Sequence, residues 1–152
     1  MGRFFRIIII VSCFMSLMAC SDDEEENVVS TISYKLPEGC DWKDVPLKEK
    51  TLYRIDSMEE FESLNLTDCD GIDIDFEKYT LLYHRFATGA VEAITTKLYR
   101  TEESPNQYYL KTIIYKYKGN KPVPAIMHIQ HVALIVNKLD RDASVELSVV
   151  EK

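Results

Sequence analysis

From Tyr79 to Val150 the chain alternates apolar with polar positions in successive short runs, the period-two pattern of strands buried on one face. Tyr79 to Phe86 is rich in aromatic and β-compatible residues and stops near Thr88-Gly89. Val91 to Arg100 follows, with Ile94, Thr96 and Leu98 on one side. Glu102 to Asn106 contains Ser104-Pro105-Asn106 and reads as a turn. Gln107 to Tyr117 then sets Tyr108, Leu110, Thr112 and Ile114 on one face, and Tyr109, Ile113, Tyr115 and Tyr117 on the other. After a turn at Lys118-Gly119-Asn120-Lys121, Ala125 to Val136 is long and apolar. Asp140 to Asp142 turns the chain into Ala143–Val150, where Val145, Leu147 and Val149 alternate with Ser144, Glu146 and Ser148.

Upstream the pattern is shorter and mixed. Thr31 to Leu36 predicts a strand with Ile32, Tyr34 and Leu36 on one face, closed by Pro37-Glu38-Gly39. The stretch through Cys40, Trp42 and Pro46 reads as loop with Trp42 as a plug, and Thr51 to Ile55 as a second short strand. Ser57-Met58-Glu59-Glu60 is a capping box: the serine hydroxyl accepts from the amide three residues on, and the glutamate reaches back. Met58, Phe61 and Leu64 follow at helical spacing, so a short amphipathic helix ending near Asn65 docks one face on a sheet. Short connections favour antiparallel hairpins. The predicted class is therefore α+β, mainly one curved antiparallel sheet with one short helix packed on it.

The first residues carry an address. Arg3 and Arg6 precede an apolar run beginning Ile7-Ile8-Ile9-Ile10-Val11, the layout of a secretory signal. The uncharged run from Ile7 to Cys20 has 14 residues, short of the roughly 20 that a spanning helix needs. It closes on Leu17-Met18-Ala19-Cys20, which resembles the bacterial lipobox. That resemblance implies removal of residues 1–19 as a signal peptide and acylation of Cys20, with the lipid (a palmitate-type chain) as the membrane contact. Residues 20–29 then form an acidic tether, and 30–152 a single folded domain. Asp22-Asp23-Glu24-Glu25-Glu26 cannot pack into a core, and it repels an anionic headgroup layer. An acidic run directly after the lipid cysteine resembles the surface-export signal of Bacteroides-type lipoproteins. It implies an outer-membrane, cell-surface location.

Composition narrows the function classes. Without Arg3 and Arg6, 16 of the 18 basic residues face 25 acidic ones, a formal charge of −9. Nucleic acid is not an expected partner, because no basic face is visible. Cys13 leaves with the signal and Cys20 carries the lipid, so Cys40 and Cys69 remain in an oxidising compartment and are expected to form a disulfide. The bridge would close a loop of about 30 residues and contribute ~3 kcal/mol.

The order of features also resembles a family. A strand ending near Cys40, then Leu52-Tyr53-Arg54-Ile55-Asp56-Ser57, a Glu-Glu-Phe helix, a cysteine, and Ile74-Asp75-Phe76-Glu77-Lys78-Tyr79-Thr80-Leu81-Leu82 follow in sequence. This is similar to small Bacteroides-type lipoproteins of unknown function and, more distantly, to the C-terminal domain of the protease-complex subunit PrcB. The resemblance spans roughly residues 50–150, with Asp75-Phe76 its most specific part. It transfers no catalytic residue and implies an accessory or binding role.

Chemistry-bearing clusters are few. Asp68-Cys69-Asp70-Gly71-Ile72-Asp73-Ile74-Asp75 departs from an EF-hand loop, since its glycine follows only two acids. A solvated turn with Asp75 capping the next strand is expected instead, and no metal. His84, His128 and His131 are the only histidines, and three-residue spacing on a strand sends His128 and His131 to opposite faces. No Gly-x-Ser-x-Gly, His-Glu-x-x-His or phosphate-loop motif occurs. Neither an enzyme nor a cofactor is expected. Tyr109, Tyr115 and Tyr117 share a face with Lys111, which suits ordinary sheet residues or a glycan platform. The resulting expectation is a surface lipoprotein that binds a protein partner, with glycan binding through the tyrosine face as the alternative.

Overall fold

The strand that follows Asp75 is buried at nearly every position, and the fold is assembled around it. The computed structural model describes residues 27–35, 48–64, 73–119 and 126–152. Among these the elements are β1 (Val28–Val29), β2 (Ile32–Ser33), β3 (Tyr53–Ile55), α1 (Met58–Ser63), β4 (Tyr79–Thr88), β5 (Val91–Arg100), β6 (Gln107–Lys116), β7 (His128–Asn137) and β8 (Ser144–Glu151). The class is α+β: mainly antiparallel strands with one short helix.

The strands divide between two four-stranded sheets rather than forming one, in the orders β1-β5-β6-β8 and β2-β7-β4-β3. The expected hairpin at Gly89-Ala90 is absent, because β4 and β5 lie in different sheets. A two-residue hairpin of the commonest kind requires positive φ at both central positions. Among the described non-glycine residues only Lys50 has positive φ, so Ala90 does not supply it. The link instead carries the chain from one sheet to the other. Of the described links, only the one between β5 and β6 joins adjacent strands of one sheet as a hairpin, and β8 returns to pair with β6 in parallel.

Alternation along β4 serves two cores. Leu82 faces the other sheet, where it joins Leu98, Leu110, Leu134, Val136, Leu139 and Ala143. Leu81 and Tyr83 face outward and meet Ile55, Phe61, Ile74 and Ala133. Helix α1 thus covers one sheet's outer face through Phe61, with Leu64 packed partly beside it. Met58, expected on the same face, is exposed instead. The capping box forms with a shift of one residue. Ser57 Oγ accepts from the Glu60 amide at 3.1 Å, but the Glu60 carboxylate accepts from the Asp56 amide, at 2.6 Å, rather than from that of Ser57. Asp75 caps the approach to β4 as expected, its carbonyl accepting from the amides of Lys78 and Tyr79 at 3.0 and 2.9 Å.

One edge of the sandwich is closed by the N-terminal stretch. Val28 and Val29 pair with Tyr99 and Leu98, while Ile32 and Ser33 pair with Ile135 and Leu134. The sheet therefore incorporates two residues of the stretch read as tether. Ile32 is exposed, so the one-sided burial expected for Thr31–Leu36 does not extend to it, and Leu36 lies outside the described residues.

A polar chain crosses between the sheets. His84 Nε2 and Thr112 Oγ1 lie 2.9 Å apart, and Thr112 Oγ1 meets Thr96 Oγ1 at 3.1 Å. His84 and Thr112 are fully buried, and His84 Nδ1 has no hydrogen-bond partner. The His84 ring stacks on Phe86 with centroids 5.6 Å apart. Burial lowers the imidazole to about 4 from its ordinary 6.5.

Two predictions follow from this packing. The unfolded state takes up a proton on His84 near pH 6.5 while the folded state resists it down to about 4. The contribution of neutral His84 is thus complete above pH 6.5 and falls away as the pH drops towards 4, by up to ~3 kcal/mol. Denaturant titrations of wild type and His84→Phe at pH 8 and pH 5 should show the variant losing distinctly less stability on acidification. Separately, Phe61→Ala removes the helix's fully buried ring and should cost ~3 kcal/mol, read as a lowered denaturation midpoint.

Candidate functional site: an uncovered tyrosine face and a charged cleft

Helix α1 packs on the β2-β7-β4-β3 sheet; the outer face of the β1-β5-β6-β8 sheet carries no comparable element among the described residues. Strand parity and register place its side chains in rows. Val28, Tyr99, Tyr109 and Glu146 form the first, and Lys97, Lys111 and Ser148 the second. Thr95, Ile113 and Val150 form the third, and Ala93 and Tyr115 the last. Tyr109 and Tyr115 are exposed, while Leu110, Thr112 and Ile114 between them are buried, so the two faces predicted for this strand are the observed ones. Lys111 Nζ stands 5.9 Å from the Tyr99 ring centroid, within reach of the ring's negative face. Gln107 Nε2 donates to the Tyr109 hydroxyl at 3.3 Å. The result is a surface on which tyrosine rings lie beside hydrogen-bonding groups.

A second feature is a cleft of about 650 Å³ lined by Arg54, Asp56, Ser57, Glu60, Lys138, Leu139 and Arg141. Its charges are largely spent on the fold. Arg54 donates through Nε to Asp56 Oδ2 at 2.5 Å, and through its terminal nitrogens to the carbonyls of Ala143, Leu139 and Asp140 at 2.6, 3.2 and 2.8 Å. Asp56 Oδ1 accepts from Thr80 Oγ1 at 2.5 Å, and Thr80 Oγ1 in turn accepts from the Leu139 amide at 3.2 Å. Lys138 Nζ donates to the carbonyls of Asp56 and Phe76 at 2.6 and 2.8 Å. Burial works to raise the Asp56 carboxyl, but the Thr80 hydroxyl, the Arg54 guanidinium and the Lys138 ammonium together outweigh it and hold the group below its ordinary range. The knot ties β3, the start of α1 and the link from β7 to β8 into one unit. It leaves Arg54 little donor capacity for a ligand.

The residues singled out in the sequence scatter. Cys20, Cys40 and Cys69 lie outside the described residues, as do Trp42, Asp68 and Asp70. His84 is in the core, His131 Nδ1 lies 2.8 Å from the Tyr83 hydroxyl, and His128 is exposed at the start of β7, so the three do not converge. Among the described residues no three His, Cys, Asp or Glu side chains gather as metal ligands. No described helix is long and apolar enough to cross a membrane. The Arg54–Asp56–Lys138 knot went unread in the sequence. Its signal was present: Arg54 and Asp56 are two apart and flank a buried isoleucine, so both project to the side opposite it.

Comparison with protein-family models, with curated proteins and with solved structures returns no significant match. The functional reading therefore rests on the residues and their geometry.

Asp56→Ala strands the Arg54 guanidinium and the Thr80 hydroxyl at a half-buried site, and should destabilise the chain by ~2–4 kcal/mol. Because the Asp56 carboxyl is depressed, its contribution is present at neutral pH and is lost as the pH falls through its folded-state value. Wild type should lose this increment on acidification, and the variant should not. Paired denaturation curves at neutral and strongly acidic pH measure the difference.

Proposed function

We propose that the chain is an outer-membrane lipoprotein, anchored through Cys20 and displayed outward, that serves as a non-enzymatic binding module for a protein partner. The observation that carries the reading is the uncovered face with Tyr99, Tyr109 and Tyr115 around Lys97 and Lys111. Tyrosine supplies rigid contact area with a polar tip and loses little conformational entropy on binding. Three of the cleft's charged residues, Arg54, Asp56 and Lys138, are tied into holding the fold. The lipobox-like end of the apolar run and the acidic stretch from Asp22 to Glu26 support the location. The order of elements resembling the PrcB domain supports an accessory role.

A second reading has its own support. Interleaving of half-exposed tyrosine rings with Gln107, Lys111 and Ser148 also suits a sugar, whose apolar faces stack on rings while its hydroxyls take hydrogen bonds. Photo-crosslinking from position 115 in the native membrane should give a discrete protein adduct, whereas position 59 on the helix should give none. If position 115 yields no adduct, and a glycan array instead shows binding that Tyr115→Ala abolishes without lowering the melting temperature, the sugar reading replaces the protein one. Cys20→Ala should leave the membrane fraction, which checks the anchor separately.

A further inference from the structure

The sheet ordered β1-β5-β6-β8 ends on a full-length strand, whereas the other strands at sheet edges, β1, β2 and β3, are two, two and three residues long. Strand β8 has eight residues and pairs on one side only, in parallel with β6 from Gln107↔Ser144 to Ile114↔Glu151. An open edge of that length is normally blunted by a proline, a bulge or a charge turned inward. Ser144–Glu151 contains no proline, and its register with β6 runs without a shift. Val145 and Leu147 pack against the core between the sheets, and Val149 shares their parity. Glu151 has that parity too, but it stands at the strand's end, paired with Lys116 at 2.5 Å.

Backbone bonds fix which groups of β8 are free. The Ser144 amide donates to the Asn106 carbonyl at 2.8 Å and the Lys152 amide to the Ile114 carbonyl at 2.9 Å. The Lys152 carbonyl in turn accepts from the Lys116 amide at 2.9 Å. Even-numbered residues of β8 therefore turn their N–H and C=O groups to β6, and odd-numbered ones turn theirs to the open side. Among the described residues nothing bonds to the backbone groups of Val145, Leu147 and Val149. Ser144, Glu146 and Ser148 are exposed on the outer face, and the three odd-numbered side chains are half-buried at the mouth of the sandwich. A row of unmet donors and acceptors beside half-covered apolar side chains is a template for another strand.

We propose that β8 pairs antiparallel with β8 of a second copy of this chain, about a two-fold axis at Leu147. Antiparallel pairing across the open side joins odd-numbered residues to odd-numbered ones, which leaves few registers. A register centred on Glu146 sets two carboxylates directly opposite each other, and one centred on Ser148 sets Glu151 against Val145. The register centred on Leu147 avoids both. On the core side Leu147 meets Leu147 and Val145 meets Val149; on the outer face Glu146 meets Ser148 and Ser144 meets Val150. Continued just past the strand's ends, the same register brings Lys152 to the second copy's Asp142, opposite in charge. A strand from another protein would meet the same free groups, but the match of β8 to itself in one register favours a second copy. The axis stands perpendicular to the sheet, so two four-stranded sheets become one, with Tyr109, Lys111 and Tyr115 of both copies on the same side. Neither the lipid anchor nor a ligand for the tyrosine face enters this inference.

Sedimentation equilibrium of the full chain in density-matched detergent should show a reversible monomer–dimer equilibrium. Ser148→Glu sets carboxylates opposite each other on both sides of the axis and should weaken the dimer about fivefold. Adding Glu146→Lys to that chain should restore it. Both residues are exposed, so the melting temperature should stay close to wild type. Val149→Pro removes an N–H that points to the open side while leaving the bonds to β6, and it should abolish the dimer. If that variant melts early, the charge substitutions decide alone. A chain that stays monomeric at every concentration, or a dimer that Ser148→Glu leaves unchanged, would overturn the proposal. So would a photo-crosslinker at position 148 that, in the native membrane, captures a different protein and no second copy, which would assign the edge to a foreign strand.

Discussion

Everything in this fold leans on β4 being buried on both sides. Leu82 and His84 pack towards the second sheet, while Leu81 and Tyr83 pack towards helix α1 and Ile55. A strand in that position reaches two hydrophobic cores through one backbone. The three layers it joins are helix, sheet and sheet, and a single short helix suffices because its one fully buried ring, Phe61, drops onto residues that β4 already holds in place. Burial on this scale forces the polar groups within it to find partners. Thr112, itself bonded to Thr96, takes up one ring nitrogen of His84, and the other is left without a partner.

Much of this was legible in the sequence, and the part that was not has a definite cause. Period-two alternation placed β5, β6 and β8 within a residue of their observed bounds, because each has one wetter and one drier face, whereas β7 begins at His128, three residues after the expected Ala125. Ser57 and Glu60 announced the helix through backbone amides that need partners, which is a local demand. Sheet membership is not local. Gly89-Ala90 looks like a hairpin link by its length, and only the backbone angle at Ala90 together with the double burial of β4 reveals a corner between sheets. The parallel pairing of β6 with β8 follows from the same non-local choice.

The candidate site was readable to the same degree and for the same reason. Tyr109, Lys111 and Tyr115 share a face by parity alone, so the sequence placed them together. Which of the two sheet faces stays uncovered depends on where α1 docks, and that is settled by packing. The Arg54–Asp56–Lys138 knot joins residues more than eighty positions apart, and no spacing rule reports such a contact. Its geometry still separates structure from chemistry: a guanidinium whose donors already meet a carboxylate and three backbone carbonyls holds a fold together rather than awaiting a substrate.

The two short strands β1 and β2 have a mechanical meaning. A single stretch from Val28 to Ser33 clips first to β5 in one sheet and then to β7 in the other, bridging them at one edge. Any pull applied through the N-terminal segment acts along the axis of β1, parallel to its neighbour, so its ladder is loaded in shear and its hydrogen bonds resist together. The load passes to both sheets through that one edge.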